Sequence, residues 1–171
     1  MNSTQKHDKV LFIDLDGTLI QPLGGRIFPE GCWDMELKFS TFEAIKQYKP
    51  DMVIIVTNQG GIEKGFVDES TFCQKVNYVC ACIYDYCHIN STYSYCPYCD
   101  TNNEFRKPNP GMINKYIECY NIKKENCLMV GDREEDMLCA KNAGIKFVDV
   151  RIFIKQFTNI FKQYASSRYK I

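Results

Sequence analysis

Three features that mark other classes of protein are missing from this 171-residue chain. There is no excess of one charge, because 21 Lys and Arg residues balance 21 Asp and Glu residues. Such a balance gives no support to non-specific binding of nucleic acid or of an anionic membrane surface, although it leaves room for a local basic patch. There is also no long apolar run, since stretches such as Met52–Val56 fall far short of the roughly 20 residues that cross a bilayer. We therefore expect no membrane-spanning helix.

The third missing feature is an apolar leader. Residues 1–9 contain nothing like a secretory signal, so we expect a cytoplasmic, reducing location without disulfides. Against that background the cysteines are numerous, because six of the ten lie between positions 73 and 99. With 45% hydrophobic and 25% charged residues, the composition is that of an ordinary globular protein. At this length it predicts a single domain over residues 1–171.

Short apolar runs alternate with helix-like segments along the chain. The runs that indicate buried strands are Val10–Ile13, Met52–Val56, Cys127–Val130 and Lys146–Val150. Helical spacing or helix-boundary residues fall in 40–48, 69–84, 109–120, 134–143 and 152–164. Strands that are apolar throughout and alternate with helices are typical of a parallel sheet covered on both faces. The sequence therefore predicts an α/β fold, Rossmann-like and doubly wound, with a mainly parallel sheet and helices on both faces.

Local signals predict where some of these elements begin and end. Ser40 and Glu43 match a capping box for the first helix, and Asn109 with Pro110 forms a cap and first-turn pair for the third. Gly144 is expected to stop the fourth helix. The segment 85–106 shows no such signals, so it is predicted to be an irregular insert that contains cysteines.

Acidic and polar side chains follow three of the predicted strands. In open α/β sheets ligands bind beyond the carboxyl ends of the strands, so these side chains should converge. One acid in such a place is often a helix cap, but three sets together are not explained by capping. Clustered carboxylates repel one another unless a cation is present, which predicts a hard divalent ion, most naturally Mg²⁺. The residues concerned are Asp14, Asp16, Thr57, Asn58, Asp132 and Asp136, with Lys107 as a nearby positive charge.

These residues carry a resemblance to a known family. Four segments, in order, are similar to the motifs of the haloacid dehalogenase-type (HAD) phosphatases of subfamily III. The segments are Asp14-Leu15-Asp16-Gly17-Thr18-Leu19, Thr57-Asn58-Gln59, Lys107 and Gly131-Asp132-Arg133-Glu134-Glu135-Asp136. The resemblance covers about residues 10–150. The intervals between the motifs are too short for a large cap domain, so the site should be open.

The resemblance implies a Mg²⁺-dependent phosphomonoester hydrolase that works through an aspartyl-phosphate. Asp14 would be the nucleophile, and Asp16 would donate a proton to the leaving oxygen and then activate water. Thr57 and the Asn58 amide would hold phosphate oxygens. Lys107 would neutralise charge as the phosphoryl group is transferred.

The same resemblance implies how the metal would be held. Asp14, the backbone carbonyl of Asp16 and Asp132 would form the Mg²⁺ shell. Asp136 lies one helical turn beyond Asp132, and two roles stay open for it. It would either support the water molecules on the metal or hold Lys107 in place.

Two branches of the superfamily resemble different parts of the chain. Segments 56–62, 106–112 and 129–132 are similar to heptose-bisphosphate and histidinol-phosphate phosphatases. That similarity implies a small phosphorylated metabolite as substrate, bound in part by Arg106. Segments 14–20 and 25–29 resemble the 3′-phosphatase domain of polynucleotide kinase, which makes a nucleic-acid end the alternative substrate.

Two further points bear on the function. In the nucleic-acid alternative, Lys64, Arg26 and Arg106 could form a local track for phosphates. The alternative from another class is a non-catalytic phosphate-binding or interaction module, and the intact pair of Asp14 and Asp16 argues against it. Nothing in the sequence sets an oligomeric state.

The cysteine-rich segment allows three interpretations. Cys96 and Cys99 have knuckle spacing, and Cys87 or His88 lies a loop away, so a structural Zn²⁺ site is chemically reasonable. The heptose-type enzymes carry a zinc loop before the lysine motif, but its Cys-x-His and Cys-x-Cys spacing differs from the spacing here. Inert thiols are the second interpretation. The third is a redox pair, because Cys-Pro-Tyr-Cys resembles the motif of the glutaredoxins.

Overall fold

The structure is a computed structural model that describes residues 8–24 and 28–158. Its strands in chain order are β1 (Val10–Ile13), β2 (Ile20–Pro22), β3 (Met35–Leu37), β4 (Met52–Asn58), β5 (Ser91–Cys96), β6 (Cys127–Gly131) and β7 (Lys146–Asp149). Five of them form one sheet in the order β5-β4-β1-β6-β7, and all of its neighbouring pairs are parallel. The other two, β2 and β3, pair antiparallel beside it. The predicted α/β fold with a mainly parallel sheet is confirmed.

Helices cover both faces of the sheet. They are α1 (Phe39–Tyr48), α2 (Glu69–Cys87), α3 (Gly111–Cys119) and α4 (Glu134–Ala143), and 150–158 is also helical. Alternate residues of β1 enter different cores, because Leu11 packs in the cluster with α1 and α2 whereas Phe12 packs in the cluster with α3 and α4. Each central strand is therefore buried on two sides, which explains its continuous apolar sequence. In the described parts of the chain, none of the helices has the length and apolarity of a membrane span.

The prediction of an irregular insert over 85–106 is wrong at its centre. Ser91–Cys96 forms the edge strand β5, which pairs with β4 from Ser91↔Val53 to Cys96↔Asn58. An edge strand is buried less completely than a central one, and most residues of β5 are only half-buried. Its Ser, Thr and Tyr residues consequently show no apolar run. The hairpin of β2 and β3 was not predicted either, because three residues per strand are too few to show a pattern.

Two of the predicted helix starts are also wrong. Helix α1 begins at Phe39 after Lys38, which makes no side-chain cap, and Glu43 accepts a hydrogen bond from Tyr86 instead of serving a capping box. Helix α3 begins at Gly111, because the Asn109 side chain donates to two loop carbonyls and does not cap the helix.

The other predicted boundaries agree with the structure more closely. Gly144 ends α4 in the left-handed region, with a φ of 73°, and α2 runs three residues beyond the predicted end at Tyr84. The predicted C-terminal helix is present in its described part, where Phe157 packs edge-on against Tyr48 with ring centroids 5.2 Å apart. The remainder of that prediction, 159–164, lies outside the described residues.

Candidate active site

The carboxyl ends of the three central strands bring the predicted residues to one edge of the sheet. Asp14 follows β1, Thr57 and Asn58 end β4, and Asp132 follows β6. A cleft of about 370 Å³ opens at this edge. The predicted residues that line it are Asp14, Asp16, Thr57, Asn58, Arg106, Lys107 and Asp136. The expected convergence of the three strand ends is confirmed.

Lys107 lies at the centre of the site and is almost completely buried, with 4% of its surface exposed. Its Nζ donates to Asp14 Oδ1 at 2.5 Å, to Asp136 Oδ1 at 2.6 Å and to the Val56 carbonyl at 2.9 Å. Burial lowers the pKa of Lys107, but the two carboxylates outweigh this and leave the pKa above its ordinary value. Lys107 therefore carries a fixed positive charge beside the predicted nucleophile. Of the two roles left open for Asp136, the contact with Lys107 is the one that the structure shows.

Asp14 is buried as well, and its ionisation is set by opposing effects. Burial raises the pKa of Asp14, the charge of Lys107 lowers it and the charge of Asp136 raises it again, and together these effects leave the pKa raised to about 7. A buried carboxylate in contact with a cation is suited to act as a nucleophile, because it is desolvated and held in one orientation.

Two glycines make the close approach of the acids feasible. A Cβ on Gly131 would lie 2.3 Å from Asp136 Oδ2, so only a glycine at the end of β6 lets Asp136 fold back over it. Gly17 has a φ of +90°, and a Cβ there would lie 2.5 Å from Asp132 Oδ2. Both glycines belong to the motifs recognised in the sequence, where they accompany the acids that they accommodate.

Three carboxylates form a group suited to a cation. Asp14, Asp132 and Asp136 each present an oxygen, and these atoms all lie within 4.8 Å of one another. Thr18 Oγ1 donates to Asp132 Oδ1 at 3.1 Å and orients that side chain. The Asp16 side chain is not a member of the group, and the role implied for Asp16 is one for its backbone carbonyl. Hard oxygen ligands of this kind are the set that Mg²⁺ prefers.

Asp16 lies beside this group and makes a different set of contacts. Its Oδ2 accepts a hydrogen bond from Gln59 Nε2 at 2.7 Å, and the same nitrogen lies 2.9 Å from Thr57 Oγ1. Its Oδ1 faces Lys75 Nζ at 3.8 Å. Gln59 and Lys75 are therefore part of the site, although neither was predicted to have a role there.

The sequence does contain a signal for each of these two residues. Gln59 directly follows the threonine motif. Lys75 lies on the apolar face of α2, three residues after Phe72 and four before Val79, where a charge needs a buried partner. Only the fold shows that this partner is Asp16.

The Asn58 side chain makes two contacts that were not predicted. Its Nδ2 donates to the Lys107 carbonyl and its Oδ1 accepts from the Lys107 backbone N–H, both at 2.9 Å. The side-chain amide consequently holds the Lys107 backbone, and the role of Asn58 in holding phosphate oxygens stays a prediction. Arg106 lines the cleft and donates to the Tyr98 carbonyl at 2.7 Å, Lys64 also lines the cleft, and Arg26 lies outside the described residues.

The predicted zinc site is wrong. Cys87 and His88 precede β5, whereas Cys96 ends this strand and Cys99 follows it, so the two pairs lie at opposite ends of a six-residue strand. Cys87 contacts the Phe42 carbonyl and Cys99 the Gly60 carbonyl. Cys96 and Cys99 alone supply two of the four ligands that structural zinc takes. The redox interpretation needs a helix at this pair, and the next helix, α3, begins only at Gly111.

Comparison with known proteins agrees with this geometry. The sequence model of the family polynucleotide kinase 3 phosphatase matches residues 9–153. The D-glycero-beta-D-manno-heptose-1,7-bisphosphate 7-phosphatase of Pasteurella multocida is 34% identical over 151 residues, which cover 81% of this chain and 78% of the relative. The enzyme of the same name from Haemophilus ducreyi is 33% identical over 148 residues, covering 81% of this chain and 80% of the relative.

A solved structure supports the fold. The D,D-heptose 1,7-bisphosphate phosphatase of B. bronchiseptica, crystallised with magnesium and phosphate, has a TM-score of 0.70 to this chain. The match covers 81% of this chain and 78% of that one at 22% identity, so it bears on the fold alone.

Proposed function

The chain belongs to the polynucleotide kinase 3 phosphatase family and is a HAD-type phosphatase, and from this we propose that it hydrolyses a small phosphorylated metabolite with Mg²⁺ through an aspartyl-phosphate on Asp14. The contact that carries the proposal is the one between Lys107 Nζ and Asp14 Oδ1 at 2.5 Å, beside the group of three carboxylates. A buried nucleophile, a fixed cation and a set of metal ligands at one sheet edge together suit attack on a phosphate dianion.

The acidic group fits Mg²⁺ by the chemistry of its donors. Asp14 and Asp132 would hold the ion, while Asp136, whose Oδ1 accepts a hydrogen bond from Lys107, would hold that lysine in place beside it. A cation is also needed for electrostatic reasons, because three carboxylates lie together here and Lys107 contacts only Asp14 and Asp136. When bound, Mg²⁺ would neutralise phosphate charge and allow an anionic nucleophile to approach an anionic substrate.

The first half of the reaction transfers the phosphoryl group to the protein. A carboxylate oxygen of Asp14 attacks phosphorus as the bond from phosphorus to the leaving oxygen breaks. Asp16, protonated at the start, gives its proton to the leaving oxygen. Lys107 and the Thr57 hydroxyl, which both line the cleft, stabilise the charge on the oxygens of the phosphoryl group.

The second half releases phosphate and restores the site. Asp16, now ionised, takes a proton from a water molecule as the oxygen of that water attacks phosphorus. The bond between phosphorus and Asp14 breaks, and Asp14 returns to a carboxylate. Lys107 stays charged throughout, because the carboxylate of Asp136 holds its pKa high even while Asp14 is esterified.

A sugar bisphosphate is the substrate class that we favour. The two relatives above carry the name heptose-1,7-bisphosphate 7-phosphatase, and each match covers about four fifths of this chain. Arg106 and Lys64 line the same cleft as the reacting residues, where they would meet a second phosphate. Two cations in the cleft that also contains Asp14 suit a substrate that keeps one phosphate after losing the other.

A nucleic-acid 3′-phosphate is the second candidate, because of the rim of the cleft. Phe28 and Phe66 line the cleft and expose 46% and 75% of their surfaces. Bases stack on aromatic rings of this kind, with cations nearby for the backbone. The name of the matching family points the same way.

Phosphate release from p-nitrophenyl phosphate, with Mg²⁺ and with a chelator, tests the activity itself. A panel of heptose 1,7-bisphosphate, histidinol phosphate and a 3′-phosphorylated oligonucleotide then tests the substrate. We expect the highest kcat/KM on the sugar bisphosphate, with modest sensitivity to salt. A preference of about 100-fold for the oligonucleotide, lost steeply as salt rises, would establish the second candidate instead.

A further inference from the structure

Lys75 is a buried lysine that the proposed reaction does not use. It lies on α2 with 1% of its surface exposed, and it is absent from the lining of the cleft. Its Nζ donates to the Pro29 carbonyl at 3.0 Å and lies 5.7 Å from the centre of the Phe72 ring. Its ion-pair partner is Asp16, with 3.8 Å between Nζ and Oδ1. Burial of an ammonium group costs free energy unless an anion compensates its charge, and Asp16 is the anion that compensates Lys75.

The two oxygens of Asp16 have different surroundings. Oδ2 accepts from Gln59 Nε2, which also contacts Thr57, and both of these residues line the cleft. Oδ1 is buried and accepts no hydrogen bond from any residue within 8–24 or 28–158. A separation of 3.8 Å is too long for a hydrogen bond but well within the range of strong Coulomb attraction. Lys75 therefore compensates the charge of Oδ1, the inner oxygen of Asp16, from the side away from the cleft. Oδ2 is the oxygen turned to the cleft.

We propose that Lys75 is a positioning residue that holds the inner oxygen of Asp16, so that Oδ2 is the atom that exchanges protons with the substrate and with water. This inference rests on the proposed function, in which Asp16 is the general acid and base. In the first half the proton on Oδ2 moves to the leaving oxygen as that oxygen separates from phosphorus. In the second half Oδ2 accepts the proton of the attacking water. Without Lys75, the carboxyl group has no charge to fix its inner oxygen and can rotate away from Gln59.

The leaving group of the substrate separates this role from a structural one. An alkoxide leaves only with a proton, whereas p-nitrophenolate is a stable anion that leaves without one. Damage to proton donation therefore lowers kcat/KM for an alkyl phosphate and affects p-nitrophenyl phosphate far less. Simple loosening of the fold lowers both values together. The measured quantity is the ratio of kcat/KM for an alkyl phosphate to kcat/KM for p-nitrophenyl phosphate. The alkyl phosphate is the one from the panel that wild type hydrolyses fastest.

Three substitutions of Lys75 form the experiment. Lys75→Met removes the charge, Lys75→Gln keeps a donor for the Pro29 carbonyl without the charge, and Lys75→Arg keeps the charge. We expect Lys75→Met and Lys75→Gln to lower the ratio about 10-fold or more, and Lys75→Arg to restore most of it. Asp16→Asn provides the benchmark, with a change in the same direction and larger. Lys46→Met, which removes an exposed lysine of α1, is the matched control and should leave the ratio at the wild-type value.

Two results would overturn the inference. One is an equal loss on both substrates in Lys75→Met, and the other is a wild-type ratio in Lys75→Gln, which would assign the role to the bond with Pro29. If Lys75→Met does not fold, the comparison of Lys75→Gln with Lys75→Arg decides the question. Failure of the proposed function is a separate result, because wild type would then release phosphate from neither substrate.

Discussion

The Asn58 side chain holds the backbone of Lys107 through two hydrogen bonds, one to its carbonyl and one from its N–H, each 2.9 Å long. Asn58 is the last residue of β4, and Lys107 belongs to the loop that leads to α3. Strand β4 therefore fixes the backbone of the residue whose ammonium group contacts Asp14 and Asp136. An asparagine matches both backbone groups of one residue because its side chain carries an acceptor and a donor side by side.

Asn58→Ala should impair both catalysis and stability. Loss of the two hydrogen bonds lets the Lys107 backbone move, so we expect kcat to fall by about 10-fold or more and the free energy of unfolding to fall by about 1–3 kcal/mol. Asn109→Ala is the matched control, because its side chain also donates to two loop carbonyls but does not touch Lys107. Steady-state kinetics and urea denaturation of both variants give the comparison. Equal losses of kcat in the two variants would contradict a specific role for Asn58.

Asp14→Asn should abolish turnover and leave the fold intact. The amide has the shape of the carboxylate but cannot form the aspartyl-phosphate, so we expect kcat to fall by about 1000-fold or more. Because burial disfavours the charged form of Asp14, whose pKa is raised to about 7 overall, a neutral group is tolerated at this position, and Tm should change little.

The matched control for Asp14→Asn is Asp51→Asn. Asp51 accepts the backbone N–H groups of Asp8 and Lys9 just before β1, at the opposite end of the sheet. This variant should retain wild-type kcat even if its Tm falls. Turnover by Asp14→Asn within a few-fold of wild type would exclude Asp14 as the nucleophile.

Asp132→Asn should raise the requirement for Mg²⁺. Asp132 is one of the three carboxylates within 4.8 Å of one another, and an amide is a weaker ligand for a hard cation. We expect the Mg²⁺ concentration for half-maximal activity to rise by about 10-fold or more, as measured by titration after chelation. Glu134→Gln, an exposed acid two residues further on and outside the group, should not change it. An unchanged Mg²⁺ titration in Asp132→Asn would remove Asp132 from the metal site.

Gly131→Ala should destabilise the protein by displacing Asp136. The new Cβ would lie 2.3 Å from Asp136 Oδ2, well inside van der Waals contact, and Asp136 is buried against Lys107 and cannot move freely. We expect a loss of about 1–3 kcal/mol in the free energy of unfolding, together with a loss of activity. At Gly24 a Cβ meets nothing within 4 Å, so Gly24→Ala serves as the control. Equal stability of the two variants in urea would show that Asp136 adjusts without cost.

The sequence by itself determined the central strands and the acids that follow them. Val10–Ile13 is apolar throughout because it is covered on both faces, and such a run is visible without a structure. Asp14 and Asp132 directly follow β1 and β6, so their meeting at one sheet edge follows from the parallel arrangement alone. The segment of β5 was not predicted, because an edge strand need not be apolar and its tyrosines show no pattern of burial.

Tertiary structure alone decided which side chains complete the site and which do not. The contact of Lys75 with Asp16 joins α2 to the loop after β1, and the contact of Asn58 with Lys107 spans 49 residues. Spacing along the chain carries no information about either contact, because each depends on how separate elements pack. The predicted zinc ligands show that residues close in sequence can lie far apart in the fold. Cys87 and Cys96 are close in sequence, but the strand between them is extended and holds them apart at about 3.3 Å per residue.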